Sequence, residues 1–263
     1  MKLRLRLYCK VFLITLLFIS GLIIAAIIFP ALGVISKPSR AKHRRDALKM
    51  AWLRWFSAIV RLHVIKEGEP LDNTGLLVSN HISWLDIIVL GQFLPAYFVA
   101  KNDILSWPVI GYLAKQAGTI FVRRGDKRQV QATAEEMVWL LRQNSTVIAF
   151  PEGTTTQGDV VLPFHASLFQ PALLTKSNIQ PVAIQYEGDA KKQAPFIGED
   201  AFVPHLIKML SLEKIAVRVV FLPCINTSGK NRHSVSNEAR AMIMESTIGE
   251  HEKMVISMLK HGH

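Results

Sequence analysis

Gly75-Leu76-Leu77-Val78-Ser79-Asn80-His81-Ile82-Ser83-Trp84-Leu85-Asp86 changes character in its middle. Gly75 to Ser79 reads as a short apolar strand and Trp84 to Leu94 as a mostly apolar helix, so His81 falls where a strand hands over to a helix. Asn80 or Ser83 is placed to cap the first helical amides. Rigid elements on both sides of a loop hold its side chains while leaving them accessible, so functional groups gather at such edges. A histidine followed closely by an aspartate supplies a base and a carboxylate to orient it. The plainer reading is that His81 and Asp86 only close the loop.

From His63 onward the same alternation repeats. Strand-like runs near 75–79, 96–100, 119–122, 146–150, 180–186 and 216–222 alternate with helix-like runs at 84–94, 108–116, 128–143, 163–175 and 201–211. Gln129 to Gln143 is the clearest helix, with Val130, Ala134, Met137, Val138 and Leu141 on one face. The expected fold class is α/β, a mainly parallel central sheet flanked by helices. Ser236 to Lys260 reads as a terminal amphipathic helix, with Met242, Ile243, Met254, Met258 and Leu259 on its apolar side.

Upstream the chain is different in kind. Residues 11 to 36 carry no charge until Lys37, and as a helix up to Pro30 they would cover roughly the 30 Å of a bilayer core with about 20 residues. A secretory signal is the competing reading, but the run is long and no small-x-small cleavage site follows it. Lys2, Arg4, Arg6 and Lys10 favour a cytoplasmic amino terminus, yet Lys37, Arg40, Lys42, Arg44 and Arg45 flank the other side. Both a spanning helix and one that dips into a single leaflet fit, the latter continued by Ala47 to Leu62, where tryptophans and basic groups suit the headgroup zone. The expected division is a membrane-embedded helical segment at 1–62 and an α/β domain at 63–263.

Half of the 263 residues are apolar, enough for a substantial core. The formal charge of +11, from 31 basic and 20 acidic residues, clusters beside apolar stretches and accompanies no zinc finger or RNA-recognition signature. Attraction to an anionic phospholipid membrane, worth about 1 kcal/mol per basic residue near the surface, explains it without a nucleic-acid partner. Cys9 and Cys224 form no CxxC pair, and Cys224 is expected in the core. The terminal His261 and His263 are by themselves a poor metal site, and no metal is implied.

Ligands of open parallel sheets gather outside the carboxyl ends of the strands, and three polar clusters fall there: His81 with Asp86, Gly118 to Arg124, and Phe150-Pro151-Glu152-Gly153-Thr154-Thr155-Thr156. With these residues in order, the chain resembles the membrane-bound glycerolipid acyltransferases, the family of the 1-acylglycerol-3-phosphate acyltransferases. The resemblance runs from about residue 63 to 224. Its Asn-His-x4-Asp element fits Asn80, His81 and Asp86; its Gly-x-x-Phe-x-x-Arg element fits Gly118, Phe121 and Arg124; its Phe-Pro-Glu-Gly-Thr element fits residues 150 to 154. A fourth, an apolar strand around a proline, fits Ile179 to Ile184.

The resemblance implies transfer of a fatty acyl group from acyl-CoA or acyl carrier protein to a lysolipid hydroxyl, with no cofactor beyond that donor. His81 would be the general base and Asp86 its orienting partner. Backbone amides near Gly153, or Lys101, would stabilise the thioester oxygen. Arg124, with Arg123, would hold the acceptor headgroup, and Glu152, Gly153, Thr154 and Thr155 would shape that subsite, Glu152 by binding acceptor hydroxyls or by ordering the loop. The active site is expected to face the cytoplasm at the inner membrane.

Members acting on lysophosphatidic acid usually carry an arginine directly after Glu-Gly-Thr, where this chain has Thr155. Pro163-Phe164-His165-Ala166-Ser167 likewise replaces a Pro-Phe-Lys-x-Gly pattern. These departures, with Gly198 to Leu206, resemble the branch acylating lyso-ornithine lipid or other lysophospholipids. Lyso-ornithine lipid is thus the alternative to a 1-acylglycerol-3-phosphate type of acceptor, and His165 and His205 are candidates for headgroup contact. A serine hydrolase is disfavoured because no G-x-S-x-G element occurs. A non-catalytic lipid-binding protein would explain the apolar start but would not require His81 and Asp86.

Overall fold

The computed structural model of the protein describes residues 2–71, 75–123 and 127–247. Its chain opens as one helical rod: α1 (Lys2–Ile23), a wide turn (Ile24–Ile28) and α2 (Phe29–Ile35). The helix does not end at Pro30 as expected. In the wide turn the Phe29 N–H donates to the Ile24 carbonyl, one residue further back than in an α-helix. Placed just before a proline, which lacks an N–H and crowds the preceding turn, such a widening lets the rod continue. Arg4–Ile35, whose most apolar 18-residue window has a mean hydropathy of 3.0, is long and apolar enough to cross a membrane.

The next helix, α3 (Pro38–Val60), returns antiparallel beside the rod. Arg45 donates to the Phe29 carbonyl at 2.5 Å, and Trp52 Nε1 to the Leu17 carbonyl at 2.9 Å. Lys10 Nζ reaches the Val60 carbonyl at 3.4 Å. One face of the rod, Ile14, Leu17, Ala25, Phe29 and Leu32, is buried, while Leu5, Tyr8, Phe12, Ile19, Ile23 and Ile27 are exposed at helical spacing. Arg61, left-handed at φ 61°, ends α3 and starts a strand the sequence reading did not anticipate.

The remaining elements are β1 (Leu62–Glu67), β2 (Gly75–Ser79), α4 (Leu85–Gly91), β3 (Ala96–Lys101), α5 (Ile110–Gln116), β4 (Ile120–Val122), α6 (Lys127–Arg142), β5 (Thr146–Ala149), α7 (Gln170–Thr175), β6 (Asn178–Glu187), α8 (Asp189–Gln193), α9 (Phe202–Ser211), β7 (Ile215–Phe221) and α10 (Arg232–Thr247). The strands form one sheet in the order β1-β7-β6-β2-β5-β3-β4, with every neighbouring pair parallel except β6 and β7. The helix expected over 163–175 begins as a short tight turn at Ala166–Phe169 and becomes α-helical at Gln170, next to Pro171, which suits a first turn. Met254, Met258 and Leu259 of the expected terminal helix, and His261 and His263, lie outside the described residues.

Every residue of β2 is buried, and its alternating side chains feed two layers. Leu77 joins Ile88, Val89 and Met209 on one face, while Leu76 and Val78 join Met137, Phe169 and Val235 on the other. Ile14, Leu17, Phe56 and Val60 belong to the first layer, so the amino-terminal helices and the sheet share a core. Arg6 and Lys10 tie the rod to the end of α9 through the carbonyls of Ser211 and Leu212, at 3.3 and 2.8 Å. Cys224, expected in the core, is exposed because β7 ends at Phe221 and the chain leaves the sheet through Pro223.

Candidate active site

β2 ends at Ser79, and the loop to α4 places His81 at the carboxyl edge of the sheet. Asn80 acts as a strand extension: its Oδ1 accepts from Ile184 N at 2.8 Å and its Nδ2 donates to the Ile184 carbonyl at 2.9 Å. That pairing pins the backbone immediately before the histidine to β6. Asp86, in the first turn of α4, then faces back across the loop. Its Oδ2 accepts from His81 Nδ1 at 2.8 Å, Ile82 N at 2.8 Å and Ser83 N at 3.0 Å, and its Oδ1 accepts from the Tyr186 hydroxyl at 2.8 Å.

Asp86 is 0 % exposed and accepts from four donors, so its buried oxygens are all satisfied. An acceptor at this position requires the hydrogen of His81 on Nδ1, leaving Nε2 with its lone pair available. The imidazole ring stacks on Phe150, with centroids 4.0 Å apart and planes at 15°. Its side chain is 19 % exposed, enough to meet a reactant from one side. Tyr186 is fully enclosed, and burial followed by the charge of Asp86 pushes its hydroxyl well above the ordinary tyrosine value, so it remains a donor.

The loop after β5 holds the histidine from behind. Glu152 Oε1 accepts from His81 N at 2.8 Å and Oε2 from Leu162 N at 2.9 Å, while Thr156 N donates to the His81 carbonyl at 2.9 Å. Of the two roles expected for Glu152, this geometry is that of loop ordering. At 5 % exposure its carboxyl is pushed up from the ordinary range, burial outweighing the two amides that favour the charge. Gly153 turns with φ +73°, a conformation glycine adopts without cost, and its N–H donates to the Phe150 carbonyl at 3.1 Å. That amide, expected among the oxyanion donors, is thus engaged in the turn.

A cleft of about 980 Å³ opens in front of His81. One wall comes from the amino-terminal helices, with Phe18, Gly21, Ala25, Phe29, Trp52 and Phe56; the other carries Lys101, Phe150, Gly153, Thr154 and Thr155. The structure therefore brings His81, Lys101, Gly153, Thr154 and Thr155 to one cavity, with Asp86 and Glu152 buried behind it. Arg123 is exposed at the end of β4, directly after the cleft-lining Val122, and Arg124 lies outside the described residues. His165 lines the cleft. His205 does not line it: its Nδ1 accepts from Trp84 Nε1 at 3.0 Å and its Nε2 lies 3.2 Å from the Pro195 carbonyl, a structural post.

Tyr186, Asp200 and Arg232 are additions to the residues singled out from sequence. Tyr186 had a signal, since strand alternation puts it on the face of β6 shared by Val182 and Ile184. Asp200 lines the cleft from the loop before α9 and Arg232 from the first residue of α10, and the sequence leaves open the paths that bring both there.

The pattern of the acyltransferase family matches residues 60–185. Over 209 residues the chain is 36% identical to the lyso-ornithine lipid O-acyltransferase of Pseudomonas aeruginosa, covering 78% of this chain and 80% of that relative. It is 34% identical over 165 residues to the 1-acyl-sn-glycerol-3-phosphate acyltransferase of Neisseria meningitidis serogroup B, covering 62% of this chain and 65% of the relative. The crystal structure of the 1-acyl-sn-glycerophosphate acyltransferase PlsC from Thermotoga maritima shares the fold, with a TM-score of 0.61 at 18% identity over 89% of this chain and 94% of that one.

Proposed function

Because the chain belongs to the glycerolipid acyltransferase family and is a lysolipid acyltransferase, we propose that its acceptor is lyso-ornithine lipid and that His81 is the general base. The observation carrying the chemistry is the imidazole at the mouth of a largely apolar cleft, its Nδ1 bound to a fully buried carboxylate. The acceptor hydroxyl oxygen attacks the thioester carbon while Nε2 takes its proton. Asp86 stabilises the resulting imidazolium, and the tetrahedral oxyanion draws on Lys101. The C–S bond then breaks, the proton passes from imidazolium to the leaving thiolate, and an ester and a free thiol result.

The acyl chain lies along Phe18, Gly21, Ala25 and Trp52, where apolar surface leaves water at about 25 cal/mol per Å². The exposed apolar face of the rod, flanked by Lys37, Arg40 and Arg44, rests in the membrane that supplies the lipid substrate. Support for lyso-ornithine lipid comes from the identity and coverage of the Pseudomonas relative and from Thr155, which stands where a phosphate-binding arginine would.

The test is thioester release by membranes containing the protein, offered lyso-ornithine lipid, lysophosphatidic acid, lysophosphatidylcholine and lysophosphatidylglycerol with acyl-CoA and acyl carrier protein donors. Turnover highest with lyso-ornithine lipid and lost in His81→Ala is the expected result. Preference for lysophosphatidic acid would overturn the acceptor, and near wild-type turnover by His81→Ala would overturn the base.

A further inference from the structure

Thr155 does more than omit a cation. Its hydroxyl donates to the Phe196 carbonyl, and the Phe196 amide donates to the Ile82 carbonyl at 3.0 Å, so the loop before α9 is fastened to both catalytic loops. Phe196 is further held edge-on by Trp107 and His205, with centroids 6.1 and 5.2 Å away. Four residues on, Asp200 accepts from Ile197 N at 3.0 Å through Oδ2 and returns its own N–H to the Ile197 carbonyl at 3.3 Å, closing the turn. Asp200 lines the same cleft as His81 and Thr155. Among the described residues the cleft-lining carboxylates are Asp103 and Asp200, and Asp200 is the one tethered to the position where phosphate-binding relatives place an arginine.

We infer that Asp200 is a specificity residue that recognises a cationic group on the acceptor headgroup, and that Thr155 positions it. The inference rests on the acceptor reading above. Ornithine linked through its α-amide retains a carboxylate and a side-chain ammonium, whereas a phosphate monoester is purely anionic. Exchanging an arginine for a hydroxyl that anchors an acidic turn reverses the local field from one that attracts phosphate to one that attracts ammonium. Arg232 and Lys101, also on the cleft wall, leave cations available to the ornithine carboxylate.

The experiment compares kcat/KM for lyso-ornithine lipid with that for the same lipid built on norvaline, which keeps the chain and carboxylate but lacks the ammonium. The wild type should favour the ornithine form by about five- to tenfold, the range of one partly exposed charged hydrogen bond. Asp200→Asn, which keeps an acceptor oxygen for Ile197 N, should erase that ratio by slowing only the ornithine form. Thr155→Val should reduce the ratio, and Asp200→Lys should invert it. A ratio that survives Asp200→Asn, or an equal loss on both lipids, would overturn the inference while leaving the acceptor reading standing. A wild type that acylates lysophosphatidic acid but not lyso-ornithine lipid would overturn both.

Discussion

The hydroxyl of Tyr186, at the end of β6, donates to Oδ1 of Asp86 at 2.8 Å, on the oxygen opposite the one that serves His81. A buried carboxylate thereby has all its bonds supplied by the fold: two amides from its own loop, one phenol from a neighbouring strand, one imidazole. The phenol draws off part of the negative charge that would otherwise bear on the histidine. Tyr186→Phe should lower kcat with little change in KM, because Asp86 is then held less firmly behind the imidazole. Losing a hydrogen bond to a charged group should also cost about 1.5–3 kcal/mol of stability. A kcat equal to that of the wild type, with stability alone reduced, would show that the contact is only structural.

Asp86→Asn keeps the shape and removes the charge that fixes the tautomer. Turnover should fall by about 10²–10⁴-fold with little change in KM, since Asp86 lies behind the imidazole and out of the cleft. Steady-state kinetics would separate this from a binding defect, and a rise in KM at constant kcat would contradict the assignment.

Glu152→Gln leaves one side-chain oxygen where two amides need acceptors. One of His81 N and Leu162 N then goes unpaired, a loss of about 1–3 kcal/mol partly offset by removing a buried charge. Thermal unfolding in detergent should show a lower midpoint, and turnover should fall because the histidine backbone is less firmly held. Full stability with selectively altered acceptor preference would instead make Glu152 a substrate contact.

His205 titrates against the fold. Burial lowers it from the ordinary 6.5, and its Nδ1 must stay unprotonated to accept from Trp84. Its contribution to stability is present above pH 6.5 and lost as pH falls through the depressed value, because the unfolded chain then binds a proton that the folded one refuses. His205→Phe should lower the unfolding midpoint at neutral pH, and the gap to wild type should narrow in acid. A gap independent of pH would mean that the imidazole titrates freely.

The strand-loop-helix at 75–91 and the order of three polar clusters were legible in the sequence because they depend on local periodicity and on a general rule about strand ends. Pro30 misled because a proline in a helical run signals a stop unless a neighbouring turn widens, and that compensation lies in backbone hydrogen bonding rather than residue type. β1 was missed because an edge strand with mostly exposed residues carries little apolar pattern. Apart from His81 beside Asp86, the partners of Asp86 and of Glu152 could not be read at all. Tyr186 is a hundred positions from Asp86 in the chain, and only the register of β6 against β2 brings them together.

The rod that opens the chain also forms part of the cleft wall through Phe18, Gly21, Ala25 and Phe29. Trimming it would remove one wall of the cleft that, under the proposed function, takes the acyl chain. What remained would keep His81 and Asp86 but lose the apolar enclosure in front of them, so under the proposed function attachment to lipid and turnover would both depend on a single stretch of helix.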